Sequence, residues 1–95
     1  MKKDKKGYRS AERVMKGVAN HRRIEILVLL KERPEQSVSE LAEILRIDFR
    51  TAAEHLRKLV HAGLVMKRSD GASVRHALTG LGSDMLHFLG TIANE

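Results

Sequence analysis

The chain has no cysteine, one proline and three aromatic residues among its 95. Without cysteine there are no disulfides, thiolate metal ligands or thiol redox switches, and His, Asp and Glu are the only remaining candidate ligands. So few aromatic rings leave little to line a substrate cleft. No Ser-His-Asp or Cys-His set, phosphate-cradling glycine loop or close carboxylate pair is apparent, so the sequence does not read as an enzyme and implies no cofactor. No apolar run approaches the ~20 residues that cross a bilayer. The lysine cluster of residues 1–9 is not followed by the apolar core of a secretory signal, and a cytoplasmic protein is expected.

What is present is the balance of an ordinary globular chain, 42% hydrophobic and 32% charged, with a length that suits one domain. A chain this short buries a modest share of its surface, so a second copy covering apolar helix faces would add stability. The net charge of +6 is unevenly placed: residues 1–9 carry +4, residues 10–45 balance, residues 46–75 carry +4 and residues 76–95 carry −2. A basic tail and one basic segment within the fold suit a polyanion such as DNA, whose condensed counterions are released when Lys and Arg meet phosphates. Solubility is the plainer reading of the tail.

Residues 1–9 are polar and interrupted by Gly7, which predicts a flexible basic arm ahead of a folded domain at 10–95. Ser10 is placed to cap a first helix ending near Val18, with Val14, Met15 and Val18 along one side. Asn20 caps a second helix that Pro34 prevents from continuing, and Ile24, Leu27, Val28 and Leu30 form its apolar stripe. Ser39 is read as the cap of a short third helix, Glu40 to Leu45, with Leu41, Ala42, Ile44 and Leu45 inward. Asp48 caps a fourth helix that ends at Gly63, so two helices meet across a tight turn, the helix-turn-helix pattern. Apolar and charged residues then follow a strand-like period on both sides of Ser69-Asp70-Gly71-Ala72, which predicts a hairpin. Thr79 caps a last helix bearing Leu81, Met85, Phe88, Leu89 and Ile92. The fold expected is mainly α with a small β-hairpin (α+β): a winged helix-turn-helix of about five helices and a two-stranded wing.

On the fourth helix Ala52, Leu56, Leu59, Val60 and Gly63 share one face and are expected to be buried. The opposite face carries Arg50, Glu54, Arg57, Lys58 and His61, with Phe49, Thr51 and Ala53 at the helix start. A helix fits the major groove of B-DNA, and its first turns reach base edges. Arg50 and Arg57 are candidates for guanine or phosphate contact, and Thr51 for donation to a phosphate. Glu54 either accepts from cytosine N4 or pairs with Arg50 or Lys58 four residues away, the pair being preferred. A solvated surface is the plain alternative for this face, but Lys67, Arg68, Ser73 and Arg75 flank the hairpin tip, so positive charge falls on both elements expected at DNA. Lys2, Lys3, Lys5, Lys6 and Arg9 could trail along the backbone.

Asn20-His21-Arg22-Arg23-Ile24-Glu25-Ile26-Leu27, Val38-Ser39-Glu40-Leu41-Ala42, and the run from Thr51 to Leu59 continuing into Ala62-Gly63-Leu64-Val65 resemble the ArsR-type winged helix-turn-helix family over roughly residues 10–90. The resemblance implies a regulator of transcription, commonly a repressor, that binds an inverted repeat in double-stranded DNA as a homodimer built from the first and last helices. It places Phe49, Arg50, Thr51, Ala53, Glu54 and Arg57 at the recognition positions and Lys67 to Arg75 in the wing. The interface it implies uses Val14, Val18, Met85, Phe88, Leu89 and Ile92. Three residues depart from the family pattern: Arg46 where the turn usually has Gly, Ala53 where Ser is common, and Glu54 where a basic or polar residue is common.

Family metal sensors use cysteines, absent here, or Asp and His on the last helix. Asp84 and His87 stand one turn apart there, but no second His completes a site, so no metal is assigned. A small-molecule or metal effector is allowed by the family but not evident. His55 is read as a packing or phosphate-contacting residue, and His76 has no identifiable partner. The competing function is a winged-helix module of a multisubunit complex that binds protein, for which the helix face should be apolar or acidic.

Overall fold

Asn20 sets the direction of the central helix: its side-chain oxygen accepts from the backbone N–H of Arg22 at 2.9 Å and of Arg23 at 3.2 Å. The structure is a computed structural model that describes residues 5–93. In chain order it contains α1 (Lys5–Val18), α2 (His21–Glu32), α3 (Val38–Leu45), α4 (Phe49–His61), β1 (Val65–Asp70), β2 (Ser73–Leu78) and α5 (Gly80–Ile92). Helix α2 packs against the other four helices and β2. Its Ile26, Leu27 and Leu30 form the core with Leu41, Leu45, Leu56, Leu59, Leu64 and Val65. Among the described residues, no helix is long and apolar enough to cross a membrane.

Several local expectations shift. Helix α1 begins at Lys5, so residues 5–9, expected in the arm, are helical and Ser10 is not a cap. One interior Gly7 costs only about 1 kcal/mol relative to Ala, too little to stop a helix that Lys, Tyr and Arg can continue. Lys2 and Lys3 lie outside the described residues. Helix α3 is capped by Ser37, not Ser39: the Ser37 hydroxyl accepts from Glu40 N–H at 3.2 Å and the Glu40 carboxylate accepts from Ser37 N–H at 2.9 Å. The Ser-x-x-Glu spacing of this capping box was visible at Ser37. Val28 and Ile44, expected inside, are exposed because the core takes the neighbouring faces of their helices.

The wing is one antiparallel pair in which Arg68 faces Arg75 and Asp70 faces Ser73. Its loop is shorter than expected, Gly71-Ala72 alone, with Gly71 at φ 62°. The chain after α2 clamps the wing from below. Gln36 bridges to His76, whose N–H donates to Gln36 O at 2.8 Å, while the Gln36 amide donates to Leu29 O and Arg33 O at the end of α2. His76, without a partner in the sequence reading, is buried with Nδ1 3.0 Å from Gln36 O. Both buried polar side chains are thereby satisfied.

Two glycines sit where elements of the fold touch. A Cβ on Gly17 would overlap the Ala62 methyl, so α1 lies directly on the end of α4. A Cβ on Gly82 would overlap the carbonyl oxygen of Leu64, a backbone atom that cannot swing aside. Thr79 fixes the same junction, its hydroxyl donating to Gly63 O at 2.6 Å and accepting from Gly82 N–H at 3.0 Å. Gly82→Ala should therefore lower unfolding stability by about 1–3 kcal/mol. Gly80→Ala, with open space around its Cβ, should stay within about 0.5 kcal/mol. Urea denaturation of the two variants beside the parent checks this.

Candidate nucleic-acid interface

The turn into α4 is made by Arg46 in the left-handed region, φ 57° and ψ 44°. A non-glycine residue there costs about 1–2 kcal/mol. The turn keeps its geometry because Arg46 N–H donates to Glu43 O at 3.3 Å and Ile47 N–H donates to Ala42 O at 3.1 Å. Arginine here therefore alters the cost of the helix-turn-helix corner and leaves its shape intact. Asp48 then starts α4, accepting from Thr51 N–H at 2.8 Å through one oxygen and from the Thr51 hydroxyl at 2.7 Å through the other. These bonds hold the Asp48 carboxyl below its ordinary range, the Thr51 backbone bond contributing most. They also commit the hydroxyl proton of Thr51, which was expected to serve a phosphate.

Helix α4 buries Ala52, Leu56, Leu59 and Ala62 and exposes Phe49, Arg50, Thr51, Glu54, Arg57, Lys58 and His61, while Ala53 is half-buried. Gly63, expected on the buried side, is exposed and takes φ 80° as the helix ends. Glu54 pairs with Arg57, not with Arg50 or Lys58. The guanidinium is bidentate, Nε at 2.8 Å and Nη2 at 2.7 Å from the two carboxylate oxygens. The Arg57 hydrogen bonds hold the Glu54 carboxyl below its ordinary range, and the same bonds hold the Arg57 guanidinium above its own, so both stay charged. Arg50 and Lys58 have no ion pair or hydrogen-bonded side-chain partner among the described residues.

The wing arginines are less free than the sequence suggested. Arg75 Nε donates to Asp70 at 3.2 Å and its Nη1 donates to the Glu35 carbonyl at 2.9 Å, while Arg68 Nη2 lies 3.1 Å from the Glu35 carboxylate. Arg75 is thus a brace between wing and core loop. Lys67 has no ion pair among the described residues and faces α4. With Phe49, Ala53, Arg57, Val38 and Val74 it lines a groove of about 310 Å³ between that helix and the wing. Phe49 and Val74, 58% and 45% exposed, give the groove apolar walls suited to a thymine methyl. Ser73, half-buried, stands opposite Asp70.

A sequence model of the arsR family of bacterial regulatory proteins matches residues 20–67, the span from the α2 cap into the wing. This chain belongs to the ArsR family. None of the curated proteins matches it. Among solved structures, it is similar to the homodimeric winged helix-turn-helix DNA-binding domain of Mb0332 from Mycobacterium bovis, a possible ArsR-family transcriptional regulator. That match has 28% identity and a TM-score of 0.86 over 100% of this chain and 90% of that one. It is also similar to reduced HlyU from Vibrio cholerae, with 30% identity and a TM-score of 0.78 over 95% of each chain. The transcriptional repressor BigR from Xylella fastidiosa matches at 25% identity and a TM-score of 0.74, over 92% of this chain and 86% of that one.

Of the residues this ArsR-family chain was expected to offer a partner copy, Val18 and Met85 are buried in its own core at 2% and 8% exposure. Both lie on the inward faces of their helices, so neither is available. Val14 and Leu89 are half-buried against the core, and Phe88 and Ile92 are exposed. Met15 on α1 and Leu81 on α5, read from sequence as apolar helix positions but not assigned to the interface, are also exposed, as is Tyr8, which sequence reasoning passed over. Sequence reasoning also missed Glu35 and Gln36, which hold the wing. Asp84 and His87 are both exposed on α5, and among the described residues no three metal-ligating side chains gather.

The depressed Asp48 carboxyl gives a pH test. A carboxyl lowered by folding contributes stability that is present above its ordinary value of 3.8 and lost as pH falls through the lower folded value. Asp48→Asn keeps a capping oxygen without the charge. The parent should be more stable than this variant at neutral pH, and the gap should close below about pH 4. Thermal melts of both proteins between pH 7 and pH 3 check it.

Proposed function

We propose that this ArsR-family protein is a dimeric repressor that binds an inverted-repeat operator in duplex DNA, with α4 in the major groove and the wing against the flanking backbone. The observation that carries this reading is the outer face of α4, where Arg50 stands exposed at the helix start without an ion pair among the described residues. A guanidinium in the first turn of a groove-bound helix reaches guanine O6 and N7. Lys58 and Lys67 supply phosphate contacts, and Arg57 joins them when DNA draws it from Glu54. Arg68 and Arg75 add positive potential while bracing the wing, and Thr51 acts chiefly in the cap.

Two copies are joined through the apolar residues left exposed on α1 and α5, chiefly Met15, Phe88 and Ile92, with Leu89 and Val14 beneath them. The homodimeric state of the Mb0332 domain supports this arrangement. The protein acts in the cytoplasm, where the DNA is, and carries out no catalysis.

Selection of bound sequences from a random duplex library should return a palindrome with half-sites about 10 bp apart. Against that site, affinity should fall steeply with salt, and Arg50→Ala should cost about 1–3 kcal/mol. If no duplex is bound at low salt, the protein-interaction reading of the fold replaces this one. Phe88→Asp should convert dimers to monomers in sedimentation and lower operator affinity, because a carboxylate cannot be buried unpaired in an apolar interface.

A further inference from the structure

Arg23 has no counterpart in the recognition surface just described. It lies at the start of α2, 92% removed from solvent by its 8% exposure, and its Nε is buried without a hydrogen-bond partner among the described residues. A buried guanidinium is ordinarily paired with a carboxylate or with several acceptors. Here the acid that feels its charge, Glu54, is already held by both nitrogens of Arg57.

Arg23 helps line an open cleft of about 530 Å³ between α1 and α4. Arg9, Arg13 and Lys16 of α1 face Arg57, Lys58 and His61 of α4 across it, with Glu12 as the one acid in the lining. Glu12 is itself paired with Lys16 at 3.3 Å. Arg9, Arg13, Arg23 and Lys58 are left without a carboxylate partner among the described residues. The volume is that of a ligand site, and the walls are cationic on two sides with a buried guanidinium facing in. His55, next to this cluster, is held below the ordinary imidazole range by burial and then by Arg23, Lys58 and Arg22. The neighbouring cations thus add to burial in disfavouring its protonated form.

We propose that the cleft between α1 and α4 is a binding site for a small free anion bearing phosphoryl groups, seated on Arg23 and closed by Arg13 and Lys58. Because Arg57 and Lys58 belong to both the cleft and the DNA-facing side of α4, an occupied cleft withdraws positive charge from the groove-bound helix. The anion therefore opposes DNA binding. This second step rests on the function proposed above, whereas the binding step does not.

Pyrophosphate is a suitable probe, titrated into the dimer by calorimetry at constant ionic strength. Saturable binding is expected, weakened at least tenfold in Arg23→Met, which keeps the shape and removes the unpaired charge, and clearly weakened in Arg13→Ala, an exposed change that leaves the core untouched. Absence of saturable binding, or equal binding by both variants and the parent, overturns the site. Fluorescence anisotropy with the selected duplex, again at constant ionic strength, should show pyrophosphate lowering DNA affinity for the parent and not for Arg23→Met. If Arg23→Met instead binds pyrophosphate normally and loses DNA affinity, the guanidinium serves a DNA phosphate and the free-anion site is wrong. Pyrophosphate binding with no duplex binding at all would keep the site and remove the operator function.

Discussion

Everything in this molecule that faces outward with purpose depends on how one side of α4 is seated. Ala52, Leu56, Leu59 and Ala62 are almost wholly buried. Burial of leucine side chains contributes on the order of 2 kcal/mol each relative to exposure, so the helix cannot roll without losing several of them at once. The small residues matter as much as the large ones. Ala62 lets Gly17 approach until no further Cβ would fit, and that contact fixes the angle between α1 and α4. With the roll of α4 fixed, Arg50, Glu54, Arg57 and Lys58 have nowhere to go but outward.

Part of the outward charge is balanced by neighbours. Arg57 is held by Glu54, Arg68 by Glu35, and Arg75 by Asp70 and the Glu35 carbonyl. Such exposed pairs are weak and screened by salt. They suit a surface that must exchange partners, because a phosphate can replace a carboxylate at little cost. They also position long side chains before a ligand arrives, which reduces the rotamer freedom lost on binding. Arg23 differs from these pairs, since its charge is buried and it has no carboxylate to give up among the described residues.

The left-handed Arg46 and Glu35 mark the two corners of the α3 region. The first turns the chain into α4 and the second turns it from α2 towards the wing. Non-glycine residues in this conformation persist only when their surroundings over-determine it. At Glu35 the surroundings are visible: its N–H and that of Gln36 both reach His76 O, at 3.0 and 3.2 Å. The wing is therefore tied to the end of α2 as well as to its own hairpin partner.

Elements and order were legible from the chain alone, because helices, caps and hairpins are written in signals only a few residues apart. Asn20, Asp48, Thr79, Pro34 and Gly63 each act on their own turn, and α4's two faces follow from a period of 3.6 residues. The family resemblance rested on the same local runs. Tertiary structure alone decided which apolar residues the core keeps and which charges remain unpaired. Val18 and Met85 look no different from Phe88 and Ile92 in sequence, and only the packing of α1 and α5 on α2 and α4 separates them. Arg75 meets Glu35, and His76 meets Gln36, across forty residues of chain. No periodicity reports a contact between groups so far apart in sequence, since it is the closing of the fold, and not the local backbone, that brings them within hydrogen-bond reach.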